Sequence, residues 1–447
     1  MLCQLRLAYT KTAAGAVLAL TASAANAGIL IPAGDWTVDI GGNVNTYAAW
    51  TKTDGDATIV STGSTSNSTG HNTTQGFGNG LLPNFLSVGG TTRQNDLDVS
   101  FTISIQPGSS HRTALGAGAD GGINNRQSFI TFGDKSWGSV LVGKNIGIFA
   151  QDAILSDMTL LGVGATSGVG NNPGVGNTSL GRIGYGYIYA DWKPMIAYTT
   201  PNMNGFQATG AITQAFLHNS ITSNYTGTAA VAGGASAIAG DTLASSSVNA
   251  SPAYEGKASY SFAANDVTGK IWVSGIAQRV GSFGAGISNS DSVAYAADIG
   301  ANANFAGFGL TGYYYNGSGI GQLGQGFDGY GRSATTNANV SARDTDGGYV
   351  QATYVLPTKT KVGVSWGQSN LDKANGETNV TTVAASGAGL GNVGLLVKTN
   401  EMWTVGAYHP LTKHLNLVAE YNYTTSENQA GQENKANNGS LGAILFF

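Results

Sequence analysis

The side chains that could carry chemistry are few and scattered. His71, His111, His218, His409 and His414 are the five histidines. They fall in polar stretches or bracket the tight turn at Pro410, and none stands reliably beside a nucleophile, as hydrolysis would need. Gly319-Ile320-Gly321-Gln322-Leu323-Gly324 has the glycine spacing of a dinucleotide-binding loop. It follows Tyr313-Tyr314-Tyr315 and runs into another Gly-rich stretch instead of a helix, so the spacing reads as a loop. No Walker lysine, HExxH pair or Cys/His cluster with metal spacing occurs. The expectation is a protein that is not an enzyme and takes no cofactor and no metal.

The charges that remain are sparse. Charged residues make up 10% of the chain, and 67 residues are glycine; a soluble domain carries about 25% charged residues. Arg6 and Lys11 precede an apolar stretch from Ala13 to Ala24 and then Ala25-Asn26-Ala27, the order of a secretory signal. Residues 1–27 are therefore expected to be a signal peptide and 28–447 the mature domain. Its removal takes away Cys3, the only cysteine, and leaves 19 basic against 25 acidic residues. An excess of six negative charges is not the footprint of a nucleic-acid binder.

The elements that must position these charges show period-two alternation. In Leu97-Asp98-Val99-Ser100-Phe101-Thr102-Ile103-Ser104-Ile105 every odd residue is apolar and every even one polar, which gives a strand one face for hydrocarbon and one for water. Tyr254 to Phe262 repeats the pattern with Glu255 and Lys257 on the wet face, and Leu415 to Tyr423 does so with Glu420. Asp39, Asp98, Glu255, Lys257, Asp298 and Glu420 are the expected lumen-lining charges. Arg279 and Glu401 have outward parity but lie at strand ends, where the cost of a charge facing lipid falls away. Seven tight turns alternate with eight long polar stretches, the last of them Thr424 to Asn438. That rhythm predicts an all-β, transmembrane antiparallel barrel of about sixteen strands with both termini on the tight-turn side.

Three stretches carry a resemblance. Asn125-Arg126-Gln127-Ser128-Phe129-Ile130 runs into Trp137-Gly138-Ser139-Val140-Leu141-Val142-Gly143-Lys144; Ile196 to Phe206 contains Tyr198-Thr199-Thr200-Pro201-Asn202-Met203-Asn204-Gly205-Phe206; and the chain ends on Leu441-Gly442-Ala443-Ile444-Leu445-Phe446-Phe447. Together they resemble the general porins of Gram-negative outer membranes, of the proteobacterial type. The resemblance implies a homotrimer in outer-membrane lipid and lipopolysaccharide, with periplasmic termini and Phe447 presented to the assembly machinery. It also implies a third loop, here 146–184, folded into the lumen.

In such porins a carboxylate loop faces a basic cluster on the wall. Matched residue by residue, that would be Asp152 and Asp157 on the loop against Arg126 and Lys144, with Arg182 or Lys193 in the place of the basic residue that follows the loop. Arg126 shares parity with Ser128, and Phe129 is read as turned outward. The implied function is passive diffusion of small hydrophilic solutes and ions. The alternatives are a sugar- or acid-specific channel, with Tyr313, Tyr315 and Tyr349 as stacking groups, and a surface-exposed adhesive barrel.

Overall fold

Asn95 and Asp96 both adopt positive φ (48° and 62°), as do Ala306 and Gly307 (46° and 83°). These are the two-residue turns whose twist suits an antiparallel hairpin, and a succession of such hairpins builds the molecule. The computed structural model describes residues 28–55, 73–109, 123–166, 178–216, 251–280, 292–332, 340–377, 394 and 396–447. The expected signal peptide lies outside them.

In chain order the strands are β1 (Ile29–Ala33), β2 (Trp36–Gly55), β3 (Thr73–Gly78), β4 (Phe85–Gln94), β5 (Leu97–Pro107), β6 (Ile123–Asp134) and β7 (Gly138–Ile146). A short helix α1 (Gln151–Ser156) and a 3-10 turn (Met158–Leu161) follow. Then come β8 (Trp192–Thr199), β9 (Phe206–Thr213), β10 (Ala253–Ala264), β11 (Val267–Val280), β12 (Ser292–Phe305), β13 (Phe308–Ser318), β14 (Tyr330–Arg332) and β15 (Val340–Ala342). The last five are β16 (Asp344–Val355), β17 (Lys361–Leu371), β18 (Val397–Pro410), β19 (Leu415–Asn428) and β20 (Glu433–Phe446).

Each barrel strand pairs antiparallel with the next, and β20 pairs back onto β2 from Asn43↔Phe446 to Gly55↔Asn434. Sixteen strands thus close on themselves and leave no open edge in lipid. β1 lies beside the start of β2, β3 extends the line of β4 along its far half, and β14 and β15 form a separate hairpin. Val44, Ile103, Ile130, Ile196, Ile212, Ile271, Ile299, Val350, Val405 and Leu441, from ten different strands, are exposed on the outside. Their sequence neighbours Asn43, Asn45, Ser104, Thr131, Thr404 and Ser440 are buried on the inside. No described helix is long and apolar enough to cross a membrane; strands do the crossing.

Two boundaries differ from expectation. A strand from Gly186 is expected, but β8 starts at Trp192 because positive φ at Gly181, Gly184, Gly186 and Asp191 breaks the extended path. The backbone there bonds inward instead, Gly186 N–H to Ser369 Oγ (2.9 Å) and Tyr189 N–H to Leu323 O (2.9 Å). Conversely, the polar stretch from Thr424 to Asn438 is mostly strand. Its buried Ser426 donates to Asn400 Oδ1 (2.6 Å), and its Asn438 donates to Thr51 Oγ1 (3.0 Å). Polarity there marks an interior wall.

Candidate functional site: a segment clipped across the barrel interior

Between β7 and β8 the chain leaves the wall, and its backbone N–H groups find their acceptors on strands far around the ring. Glu255 of β10 accepts from Ile148 (2.6 Å) and Phe149 (2.9 Å). Asp298 of β12 accepts from Ala150 (3.1 Å) while also taking Ser274 N–H (2.8 Å) and the Tyr313 hydroxyl (3.1 Å). Gln351 of β16 accepts from Met158 (2.7 Å) and donates to Ser156 O (3.1 Å). Glu420 of β19 accepts from Val163 (2.8 Å) and Gly164 (2.9 Å), and Tyr47 of β2 donates to Leu161 O (2.6 Å). A segment bonded to β10, β12, β16, β19 and β2 in turn runs across the interior.

Local sequence favours this path. Ala150, the N-cap of α1, sits at φ 61° and offers no side-chain cap; its own N–H is taken by Asp298 and Ser274 of the wall. Asp157 caps the 3-10 turn through Thr159 N–H (3.0 Å) and Thr159 Oγ1 (2.6 Å). Gly162 is required by close approach, since a Cβ there would lie 1.9 Å from Glu420 Oε1.

The charges on the segment are paired and buried. Asp152 meets Lys257 (2.9 Å) and Lys270 (2.5 Å). Burial alone would raise its pKa; the two ammoniums outweigh that and hold the carboxyl below its ordinary 3.8. Asp157 accepts the Tyr187 hydroxyl (2.9 Å) and lies 3.9 Å from Arg182 Nε. Arg182 is fully buried, donating to Met402 O (3.0 Å) and Thr404 Oγ1 (2.9 Å) with its guanidinium over the Tyr349 ring.

The expected site residues divide into three groups. Asp152, Asp157 and Arg182 lie on the inserted chain, with Lys257, Glu255, Asp298 and Glu420 around it. The three wall carboxylates are clips for the segment and do not stand as open lining charges. Asp98 lies at the tight-turn end, bonded to Arg93 (2.8 Å), and Asp39 is exposed on the inward row of β2 beside Gly28.

Lys144 is placed otherwise than expected, and Arg126 sits at an irregularity of the sheet. The β5–β6 register slips between Ser104↔Gln127 and Ile105↔Asn125, which makes Arg126 the extra residue of a bulge. Beyond the slip, Thr102↔Phe129 faces inward and Ile103↔Ser128 outward, the reverse of the expected parity. Arg126 is half-buried, and its charge reaches Tyr189 of the chain leading into β8. Lys144 pairs with Ser128 and Pro194 on the outward row. The cations on Asp152 are therefore lysines of β10 and β11, while Asp157 has Arg182 beside it.

Lys270, Gln351 and Tyr408 are site residues that the sequence did not single out, and Lys193, weighed beside Arg182, joins them. Lys193 is buried against Glu255 (2.6 Å) and Gln325. Lys270 was legible from parity, since Thr268, Lys270, Ser274 and Gln278 alternate along β11. A second stretch, 319–329, enters beside the first: Gln322 donates to Ser369 O (2.7 Å) and Gln325 to Ala190 O (3.1 Å). The glycine pattern lies here and opens no helix; a Cβ at Gly321 would strike Phe327 O at 2.0 Å. Tyr313 and Tyr349 point inward but are occupied with Asp298 and Ala153 O. Among the described residues no group of His, Cys, Asp and Glu is placed to hold a metal.

A closed barrel with an apolar outside, a polar inside and a segment crossing its interior defines an outer-membrane channel. The chain belongs to the Gram-negative porins: the model of that family matches residues 13–429, which makes it an outer-membrane channel for passive diffusion. Its fold is similar to the outer membrane channel DcaP of Acinetobacter baumannii, at a TM-score of 0.61 and 14% identity over 93% of this chain and 99% of that one. It is also similar to OmpF of Salmonella typhi, solved with daunomycin, at 0.54 and 12% over 94% and 100%. No curated protein matches it by sequence.

Proposed function

We propose that the wall-clipped segment is the constriction of this channel, within an outer-membrane domain of residues 28–447 that follows a cleaved signal peptide of residues 1–27. Small hydrophilic solutes and ions descend their gradients past it, and no catalytic step occurs. Support comes from one observation: the segment is bonded at five strands across the interior, so it fixes an opening narrower than the barrel. Lys257 and Lys270 flank Asp152 at one edge of that opening, with Arg126 on a different arc. A homotrimer in outer-membrane lipid and lipopolysaccharide, with periplasmic termini, is the assembly expected of the family.

The test is single-channel recording in planar bilayers. Wild type is expected to give stable steps. Glu420→Gln, which weakens the hold on Val163 and Gly164, should give larger steps with more open-channel noise. Steps of unchanged size and noise in Glu420→Gln would separate the segment from the limiting aperture.

A further inference from the structure

The inserted segment must come back from the far wall to β8, and its return leg crosses the ring. Arg182 is bonded to β18 and Gly186 N–H to Ser369 Oγ of β17 (2.9 Å), after which the chain runs to Trp192, the first residue of β8. Counted round the closed barrel, β8 and β17 have six strands between them on one side (β9 to β13 and β16) and eight on the other (β18 to β20, β2 and β4 to β7). They stand nearly opposite each other.

Backbone groups in a chain that leaves the wall still need partners once they are buried. The stretch 319–329 supplies them: Tyr189 N–H donates to Leu323 O (2.9 Å), Gln325 Nε2 donates to Ala190 O (3.1 Å), and a β-bridge joins Tyr189 to Gly324. That stretch reaches the same two wall strands. Gln322 donates to Ser369 O of β17 (2.7 Å), and Gln325 accepts from Lys193 of β8. Lys193 also pairs with Glu255 (2.6 Å), the clip for Ile148 and Phe149, so one ammonium ties both inserted chains together.

The stretch is closed on itself. Arg343 takes Gly319 N–H on its carbonyl (2.9 Å) and gives its own N–H to Gly329 O (2.8 Å), so both ends meet at one residue. Its guanidinium donates to Asp328 O (2.8 Å) and to both carboxylate oxygens of Glu377 (2.9 and 2.5 Å). Ile320 is fully buried, and Gln322, Gln325 and Asp328 are nearly so. A compact loop with joined ends, packed by its own side chains, holds a shape as a slack connection does not.

We propose that 319–329 is a second element of the constriction: with 182–191 it forms a two-chain crossbar from β17 to β8 that sets the size limit for solutes. Gln322 and Gln325 are the positioning residues that fix the bar to the two walls, Gln325 through Lys193. The inference rests on the constriction reading above and adds to it the part that fixes the limit.

The experiment is single-channel recording of the full-length protein, purified from outer membranes and reconstituted in planar bilayers, with neutral polyethylene glycols of graded size in the bath. A polymer that enters the pore lowers its conductance, so the series reads the size limit. Gln322→Ala combined with Gln325→Ala loosens the bar at both walls and removes no charge. Gly321→Ala distorts the bar itself, since at φ 84° a Cβ there would lie 2.0 Å from Phe327 O. Both are expected to give larger steps and to admit polymers that wild type excludes, while Asp266→Asn, at an exposed tight turn, keeps the wild-type limit. In the wild-type protein, which needs no variant to fold, the Tyr189 amide should exchange as slowly as those of β8; rapid exchange there overturns the crossbar. Folded bar variants with wild-type steps and size limit, beside a Glu420→Gln channel that is larger, overturn this inference alone. A Glu420→Gln channel of unchanged size overturns the constriction reading and this inference with it.

Discussion

Two arcs of the inner wall hold the same inserted segment by different means. From β10 to β12 the wall is ionic: Glu255 with Lys193, Lys257 and Lys270 with Asp152, and Asp298 with three donors. From β18 to β20 the wall's one inward carboxylate, Glu420, takes Val163 and Gly164, Arg182 of the inserted chain donates to Met402 O and Thr404 Oγ1, and the other inward polar groups are amides and hydroxyls. Hydrogen bonds to charged groups contribute about 1.5–3 kcal/mol and neutral ones about 0.5–1.5. The first arc therefore suits an anchorage, where the chain leaves β7 and must be fixed in depth. The second sets one carboxylate and one guanidinium contact among neutral groups that bond mainly to one another.

The sharpest way to break that contrast is to remove one ion from the anchoring arc. Lys193 and Glu255 are a buried pair, and Glu255→Leu strands the Lys193 ammonium while also releasing Ile148 and Phe149. Losing one partner of a buried pair costs about 3–5 kcal/mol, so a marked fall in the denaturant midpoint of the folded barrel is expected. Pairing it with Lys193→Met should restore a large part of the loss. If the double variant is as unstable as the single one, the backbone clip matters more than the ion pair.

Much of the fold was legible because each strand meets two solvents. Leu97 to Ile105 alternates without a break, and it lies within β5 as Tyr254 to Phe262 lies within β10 and Leu415 to Tyr423 within β19. The polar wall of β19 and β20 misled because an interior lined with Asn, Ser and Thr has the composition of a loop. Parity also placed Glu255, Asp298 and Glu420 inward. Their partners were out of reach of any local reading: backbone amides 107, 148 and 257 positions away. The facing of Ser128 and Phe129 was read the wrong way round because a single-residue bulge at Arg126 reverses every face beyond it, and neither neighbouring residue type announces that slip.

A smaller effect sharpens the contrast through pH. Lys257 and Lys270 hold the Asp152 pKa below its unfolded value near 3.8. Its contribution to holding the segment is therefore complete above that value and is lost as pH falls through the folded pKa. Protection of the α1 amides, taken relative to intrinsic exchange at each pH, is expected to fall below about pH 4, and Asp152→Asn should remove that component while lowering protection at neutral pH. The amides of Val163 and Gly164, clipped on the other arc, should be indifferent to the substitution. Identical acid profiles for wild type and Asp152→Asn would move the pH response away from this ion pair.

The smallest change is expected where charges are paired but exposed. Arg93 bonds Asp98 (2.8 Å) and Asp134 (3.0 Å) at the tight-turn rim, half-exposed and remote from the segment. In geometry this network is as good as the Lys257–Asp152–Lys270 triad, so the pair of sites isolates burial as the variable. Water screens the rim charges and keeps them solvated when a partner is lost. Arg93→Gln should leave the denaturant midpoint and the exchange of α1 at wild-type values, whereas Lys257→Gln should disturb both. Equal effects from the two substitutions would mean that geometry, and not exclusion of water, gives the interior ion pairs their weight.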